Sequence, residues 1–138
     1  MKREIKMPEN RKLLIVDDDP GMRSQLKWGC ANFDVVTAED RIHALEEFAK
    51  HHPAVVTLDL GMPPDADGCK EGFATLKQIL EQAPSTKVII VSASEEQANE
   101  KRAIESGAYE YFPKPVDIEQ LSIVLEKAYL AYKGTQKL

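Results

Sequence analysis

The chain has 138 residues, a length that suits one ordinary globular domain. Its net charge of -5 and isoelectric point near 5.2 argue against nucleic-acid binding by this chain alone, because phosphate backbones attract basic surfaces. No apolar run approaches the roughly 20 residues that a membrane-spanning helix needs, and the charged N-terminus lacks the apolar segment of a signal peptide. Cys30 and Cys69 have no metal-ligand spacing with the histidines, so we interpret both as free thiols in a reducing compartment, the cytoplasm.

Short apolar runs alternate with longer amphipathic stretches along the whole chain. The runs, which predict strands, are residues 13–16, 34–38, 54–58, 87–91 and 109–112. The amphipathic stretches, which predict helices, are residues 21–30, 41–51, 73–80, 95–106 and 116–132. Gly107 is predicted to end the fourth helix, because glycine readily adopts the left-handed conformation found after helix ends.

Three of the strand-forming runs are continuously apolar, which is typical of parallel strands buried on both faces of a sheet. Strict strand–helix alternation implies right-handed crossovers between parallel strands. The sequence therefore predicts a single α/β domain of (βα)5 type: a doubly wound, five-stranded parallel sheet flanked by helices.

Reactive side chains directly follow four of the five predicted strands. They are Asp17, Asp18 and Asp19 after the first, Asp59 after the third, Ser92 after the fourth and Lys114 after the fifth. Because the carboxyl ends of parallel strands share one edge, where α/β sheets bind ligands, these side chains are expected to form one pocket. Neighbouring carboxylates raise each other's pKa, and a divalent cation relieves that repulsion. Hard oxygen ligands favour Mg²⁺, which also accepts phosphate oxygens.

Each of these residues also has a simpler interpretation when taken alone. Asp19 is a favoured helix-capping residue, and Asp59 is suited to a cap or a turn. Ser92 is a possible cap for the fourth helix, although Ser94 is better placed for it, and Lys114 alone resembles a solvated surface lysine. The combination, in the order Asp-Asp, Asp, Ser, Lys, is far less expected by chance than any single member.

Four segments, LLIVDDDP, VVTLDLGMP, VIIVSAS and YFPKPVD, resemble those of response-regulator receiver domains of two-component systems. The resemblance covers residues 12–132, leaving 1–11 as an N-terminal extension and 133–138 as a polar tail or the start of a linker to an absent output domain. It implies the flavodoxin- or CheY-like fold and a signalling switch rather than an enzyme. Such a switch takes a phosphoryl group from the phosphohistidine of a sensor histidine kinase and catalyses only this transfer and its own slow dephosphorylation.

The resemblance also implies the roles of single residues. Asp59 matches the phosphoacceptor, and Lys114 matches the lysine that neutralises charge on the transferred group. Asp17, Asp18, Asp59 and the backbone carbonyl of Gly61 are the expected Mg²⁺ ligands. Asp18 is the expected direct ligand, and Asp17 is expected to act largely through water.

The resemblance further implies a switch built on Ser92 and Tyr111. The Ser92 hydroxyl is expected to bond the phosphoryl group and draw its loop inward, which leaves room for Tyr111 to turn in. The surface of the fourth helix, fifth strand and fifth helix then changes, and it is a plausible interface for a phosphorylation-dependent homodimer. The Lys114–Pro115 bond is commonly cis in such domains.

The loop at residues 61–72 is a few residues longer than in most receivers. Together with residues 25–28 and 54–58 it resembles the receivers of PEP-CTERM-box response regulators, which resemble NtrC-type activators. The chain would then precede an ATPase domain and a DNA-binding domain, and would itself contact neither DNA nor membrane. The longer loop itself is open to two interpretations: a tolerated surface insertion, or a contact that affects the kinase or the lifetime of the phosphoryl group.

Three other functions fit the sequence less well. A phosphatase of the haloacid dehalogenase kind has an Asp-x-Asp motif after its first strand and a cap domain, whereas this chain has consecutive aspartates and no cap. A nucleotide-binding module needs glycines in that loop. A degenerate receiver that only mediates protein contacts is disfavoured by the complete set of acidic, serine and lysine residues.

Overall fold

The structure, a computed structural model, describes residues 11–65, 68–93 and 97–136. Its strands are β1 (Lys12–Val16), β2 (Asp34–Ala38), β3 (Val55–Leu58), β4 (Lys87–Ser92) and β5 (Glu110–Pro113). Its helices are α1 (Pro20–Gly29), α2 (Arg41–His51), α3 (Lys70–Gln82), α4 (Gln97–Glu105) and α5 (Ile118–Thr135). Strands and helices alternate as the sequence predicts, which confirms the (βα)5 fold. No helix in the described ranges is both long enough and apolar enough to cross a membrane.

The strands form one parallel sheet in the order β2-β1-β3-β4-β5. Strand β1 therefore lies between β2 and β3. The helix that follows β1 packs on one face of the sheet, and the helix that follows β3 packs on the other. The two connections diverge and leave a crevice at the carboxyl ends of β1 and β3.

Each face of the sheet buries its own apolar cluster. On the first face α1 and α5 contribute, among others, Leu26, Leu121, Leu125 and Tyr129. On the second face α2, α3 and α4 contribute, among others, Phe48, Leu76, Ile79 and Ala103. The residues of β1, β3 and β4 are buried almost throughout, because both faces are covered. The continuous apolar runs in the sequence are the direct record of this arrangement.

Helix ends follow from local side-chain chemistry. The Asp19 carboxylate accepts a hydrogen bond from the Gly21 amide at 2.9 Å and caps α1, so the simpler interpretation of Asp19 is confirmed. Gly107 has a φ of +106°, and the amides of Gly107 and Ala108 return to the carbonyls of Ile104 and Ala103, which ends α4 as predicted. The alternative cap at Ser94 lies outside the described residues.

Arg11 ties the start of β2 to α5. Its guanidinium lies 4.6 Å from the centre of the Phe33 ring and 4.5 Å from that of Tyr129, and it forms a salt bridge with Glu126. A cation held between two aromatic rings and a carboxylate contributes more to stability than an exposed ion pair does.

The predicted domain boundaries stay predictions, with residues 1–10 and 137–138 outside the described part of the chain.

Candidate functional site

Two buried carboxylates stand directly beyond the ends of β1 and β3. The Asp17 amide donates to the Ala38 carbonyl at 3.0 Å, and the Asp59 amide donates to the Val16 carbonyl at 2.9 Å. These bonds continue the sheet one residue past each strand and fix both backbones. Only 1% of Asp17 and 6% of Asp59 is exposed. The sheet therefore holds both acids rigidly in the crevice that the topology creates.

Lys114 places its ammonium group between these two carboxylates. Its Nζ lies 2.9 Å from Asp17 Oδ2 and 3.4 Å from Asp59 Oδ2. The Lys114 amide donates to the Ser92 carbonyl at 2.9 Å, which fixes the residue just beyond β5, and the Lys114–Pro115 peptide is cis, as the sequence resemblance implied. The predicted meeting of three strand ends is thus confirmed.

The carboxylates of this site outnumber the one ammonium group that the described residues place among them. Burial, and secondarily the charge of Asp17, raise the pKa of Asp59 from 3.8 to about 6, although Lys114 and the Gly61 amide oppose the shift. Burial by itself would lower the pKa of Lys114, but the hydrogen bond to Asp17 and the charges of Asp59 and Asp17 outweigh it and raise that pKa. One ammonium group is therefore shared by two buried acids that both need a counter-charge.

The donor set fits Mg²⁺. Carboxylate oxygens of Asp17, Asp18 and Asp59 all lie within 4.8 Å of one another. Oxygen-only ligands that leave room for several waters are what Mg²⁺ requires. Both oxygens of Asp17 already accept protein hydrogen bonds, from the Asp19 amide at 2.9 Å and from Lys114. Asp18 is the most exposed of the three acids.

The remaining predicted site residues lie after β3, at the end of β4 and within β5. The Gly61 amide donates to Asp59 Oδ1 at 3.3 Å, while the metal-binding role of its carbonyl stays a prediction. Ser92 ends β4, is buried, and lies opposite Pro113 in the register of β4 and β5. Tyr111 is half-buried on β5 and packs against the α2–α3–α4 cluster, two strand positions before Pro113. The structure thus brings the three acids and Lys114 together, whereas Tyr111 lies within β5 against the apolar cluster.

The loop that follows Asp59 is anchored at both of its ends. Met62 is fully buried in the core, and the Gly72 amide donates to the Leu60 carbonyl at 3.1 Å. A side chain at position 72 would lie 2.3 Å from the Leu60 Cα, so only glycine permits this approach. Residues 66–67 of the predicted long loop lie outside the described part. At its far end the free thiol of Cys69 faces Arg102 of α4, with 3.9 Å between Sγ and Nη1.

Sequence reasoning missed a cation beside the acidic pair. Arg23 Nη1 donates to the backbone carbonyl of Asp17 at 2.7 Å, from one turn inside α1. The available signal was its spacing, since an arginine four residues after the capping Asp19 lies on the helix face that looks back at the strand end.

A second acidic group follows β2, where the sequence predicted nothing reactive. Ligand atoms of Glu39, Asp40 and His43 lie within 4.8 Å of one another at the surface. Asp40 caps α2 by accepting from the His43 amide at 2.8 Å, and it also lies 2.8 Å from His43 Nδ1. Its hydrogen bond and charge raise the pKa of His43. Capping and ion pairing account for this group.

The fold and the site together define a class of protein. Its members are doubly wound α/β domains in which a lysine faces an acidic crevice. The chain belongs to the response regulator receiver domain family, whose model matches residues 13–126. Members are signalling domains that pair with histidine kinases and bind Mg²⁺ at acidic residues, and this chain carries the corresponding acidic cluster.

The chain is similar to relatives of two kinds, some covered over nearly their whole length and others over about a quarter of it. It is 38% identical over 120 residues to the chemotaxis protein CheY of Listeria monocytogenes, covering 85% of this chain and 97% of that protein. It is 33% identical over 125 residues to the DNA-binding transcriptional regulator NtrC of Escherichia coli K12, covering 89% of this chain but 26% of that protein.

Solved structures divide in the same way. A receiver domain protein from Clostridium thermocellum is 28% identical with a TM-score of 0.81, covering 91% of this chain and 98% of that one. NtrX from Brucella abortus is 27% identical with a TM-score of 0.81, covering 91% of this chain and 28% of that one. The 138 residues therefore correspond to about a quarter of the NtrC and NtrX proteins.

Proposed function

We propose that the chain is the phosphoacceptor switch of a two-component system, with Asp59 as the residue that receives the phosphoryl group. The observation that carries this proposal is the position of Asp59: a buried carboxylate that shares one lysine with Asp17 at the end of a central strand. A carboxylate used only for structure would have its charge matched. Here a bound cation would offset the remaining negative charge of the carboxylates and the further negative charge that a phosphoryl group brings.

The proposed transfer begins on a phosphohistidine of a sensor histidine kinase. An oxygen of Asp59 attacks phosphorus, the new P–O bond forms as the P–N bond breaks, and the electron pair of that bond returns to the imidazole nitrogen. Asp17, Asp18, Asp59 and the Gly61 carbonyl would hold Mg²⁺, which supplies positive charge against the oxygens of the transferred group. Lys114 lies within 3.4 Å of Asp59 and neutralises further charge there. Catalysis is then mostly positioning and electrostatics, and turnover is limited to slow autodephosphorylation.

The output would be a conformational change near α4. A phosphoryl group adds about -1.5 to -2 units of charge and three strong acceptor oxygens. Ser92, at the end of the neighbouring strand, is the hydroxyl proposed to bond it, and Tyr111 is the aromatic side chain proposed to turn inward in response. The resulting α4-β5-α5 surface carries exposed Ile104 and Ile123, which would favour a homodimer of the phosphorylated form.

The surroundings of this switch are proposed from its relatives. The likeness to NtrC and NtrX supports a place ahead of an ATPase and DNA-binding region, so that phosphorylation in the cytoplasm controls transcription. Any contact with DNA would then belong to that region, since this chain has a net charge of -5. The narrower likeness to PEP-CTERM-box regulators, noted at the loop 61–72, is part of the proposal.

Intact mass spectrometry after incubation with acetyl phosphate tests the proposal. Wild-type protein is expected to gain one phosphoryl group in the presence of Mg²⁺ and none in EDTA, and Asp59→Asn is expected to gain none. Lys114→Met is expected to lose most of the adduct although Asp59 remains. Repeated turnover of a small phosphate ester would instead support the phosphatase alternative, and the absence of both an adduct and beryllofluoride binding would support a module for protein contacts only.

A further inference from the structure

We propose that Arg23 is a positioning residue that holds the β1–α1 loop in the shape that binds Mg²⁺. The inference rests on the proposed function and deepens it, because it concerns how this chain prepares its metal ligands. Arg23 touches neither Asp59 nor the side chains of the acidic pair in the described contacts. It bonds instead to the backbone from which that pair projects, at the Asp17 carbonyl, with 2.7 Å between Nη1 and oxygen.

The loop is closed by three bonds that converge on a short stretch of chain. The Arg23 guanidinium returns to Asp17, the Arg23 amide donates to the Asp19 carbonyl at 3.0 Å, and the Asp19 amide donates to Asp17 Oδ1 at 2.9 Å. Asp18 lies between the tied residues. Its position therefore depends on the loop conformation, whereas Asp17 is additionally held by Lys114 and by the sheet.

This arrangement matters because Asp17 and Asp59 accept side-chain hydrogen bonds, whereas Asp18 has none to another residue in the described part of the chain. Mg²⁺ requires near-ideal octahedral geometry, so a small displacement of one carboxylate lowers affinity. Groups that orient metal ligands without touching the metal typically contribute about 10–100-fold to affinity. A charged donor on a backbone carbonyl, longer and more rigid than a lysine, suits that task.

Charge and positioning make opposite predictions for Arg23, which makes the inference testable. A guanidinium bonded to the backbone of a metal-binding residue repels an incoming cation, so removal of its charge alone would strengthen Mg²⁺ binding. Removal of the tether would weaken binding, because the loop would no longer be held in place. We infer that the tether dominates, since the bond is short, charged and half-buried.

The experiment is an NMR titration of the unphosphorylated chain with Mg²⁺, following backbone amides of the β1–α1 loop. Arg23→Met removes charge and tether, and Arg23→Lys keeps the charge while shortening the donor. Arg41→Met and Arg41→Lys are matched controls, because Arg41 bonds Glu71 at 2.8 Å and Gln78 at 3.2 Å between α2 and α3, outside the acidic cluster. Urea unfolding of all variants reports their stability separately.

Both Arg23 variants are expected to bind Mg²⁺ about tenfold more weakly than wild type, and both Arg41 variants are expected to bind it normally. Tighter binding by Arg23→Met with unchanged binding by Arg23→Lys would overturn the inference in favour of a charge effect. Wild-type affinity in both Arg23 variants would overturn it in favour of a purely structural role. If Arg23→Met does not fold, Arg23→Lys alone decides: weaker binding supports the inference, and wild-type binding overturns it. A wild-type chain that binds no Mg²⁺ would overturn the proposed function itself, whereas normal wild-type binding with unaffected variants overturns only the inference.

Discussion

Helices α5 and α4, on opposite faces of the sheet, differ in how much apolar surface they bury. On the first face, α5 buries Leu121, Leu125, Ala128 and Tyr129. On the second face, the described part of α4 has one buried apolar side chain, Ala103. Helix α5 therefore packs on the sheet through large apolar side chains, whereas the buried apolar group in the described part of α4 is the methyl group of Ala103.

This difference separates the part of the molecule that holds the site from the part that is able to respond to it. The side chains of Asp17 and Asp59 share the strand face that carries Ile15 and Val55, which α1 and α5 cover. Elements with little buried apolar area open at low free-energy cost, and switching elements are drawn from them. We therefore expect the acceptor, which the sheet holds in place, to stay fixed, and α4 to be the element that moves.

The largest expected effect is the loss of stability when a buried side chain of α5 is shortened. Leu125→Ala removes a fully buried side chain from α5 and is expected to lower the free energy of unfolding by about 3 kcal/mol. Ile104→Ala on α4, where 46% of the side chain is exposed, is expected to cost only about 0.5 kcal/mol. Urea unfolding of both variants measures this. Equal losses would contradict the contrast between the two helices.

A second effect comes from the charge of the buried Asp59 carboxylate. The pKa of Asp59 is about 6 in the folded chain against an ordinary 3.8, so the folded state binds more protons between these values and stability falls as pH rises through them. In magnesium-free buffer, Asp59→Asn is expected to stabilise the fold at pH 7 by about 2 kcal/mol, allowing for partial screening by solvent. The gain should vanish below about pH 4.

Urea unfolding of wild type and Asp59→Asn at pH 4 and pH 7 checks this expectation. Asp34→Asn is a suitable control, because Asp34 is exposed and its pKa is lowered by the hydrogen bond and charge of Lys12. Its substitution should not stabilise the fold at pH 7. A gain for Asp59→Asn that is independent of pH would show that burial of charge is not its source.

The smallest expected effect concerns the attachment of α4 through Arg102. The Arg102 guanidinium lies 3.9 Å from the centre of the Phe73 ring and so links α4 to α3. Loss of this contact in Arg102→Gln is expected to cost about 0.5–1 kcal/mol. Hydrogen exchange should accelerate in α4 and remain unchanged in α5. Lys101→Gln, which removes a neighbouring exposed charge, should leave exchange in both helices unchanged.

The sequence predicted the fold well because the sheet is buried on both faces. Continuous apolar runs such as residues 88–91 have no solvent-facing side, so their pattern indicates the parallel sheet directly. The stop at Gly107 was equally readable, since glycine alone adopts its positive φ without strain. Helix α5 runs to Thr135 rather than to the predicted residue 132, so it continues through Gly134 despite the low helix propensity of glycine.

Contacts between distant elements account for what the sequence left out. The strand-end rule brought Asp17, Asp59 and Lys114 together, but it gives no information about which oxygen each hydrogen bond occupies. Arg23 and Arg11 were both missed for this reason, because each acts through a long side chain whose partner is set by packing. The pairing of Cys69 with α4 likewise depends on where the loop after Asp59 is anchored.

The most direct test of the central claim is to locate the acyl phosphate. Wild-type chain treated with acetyl phosphate and Mg²⁺ is reduced with borohydride, which converts an aspartyl phosphate to homoserine, and its peptides are then sequenced by mass spectrometry. Homoserine is expected at position 59 and at no other aspartate, and only when Mg²⁺ is present. Homoserine at position 17 or 18 with Asp59 intact would contradict it, because the acceptor would then be one of the residues assigned here to the metal.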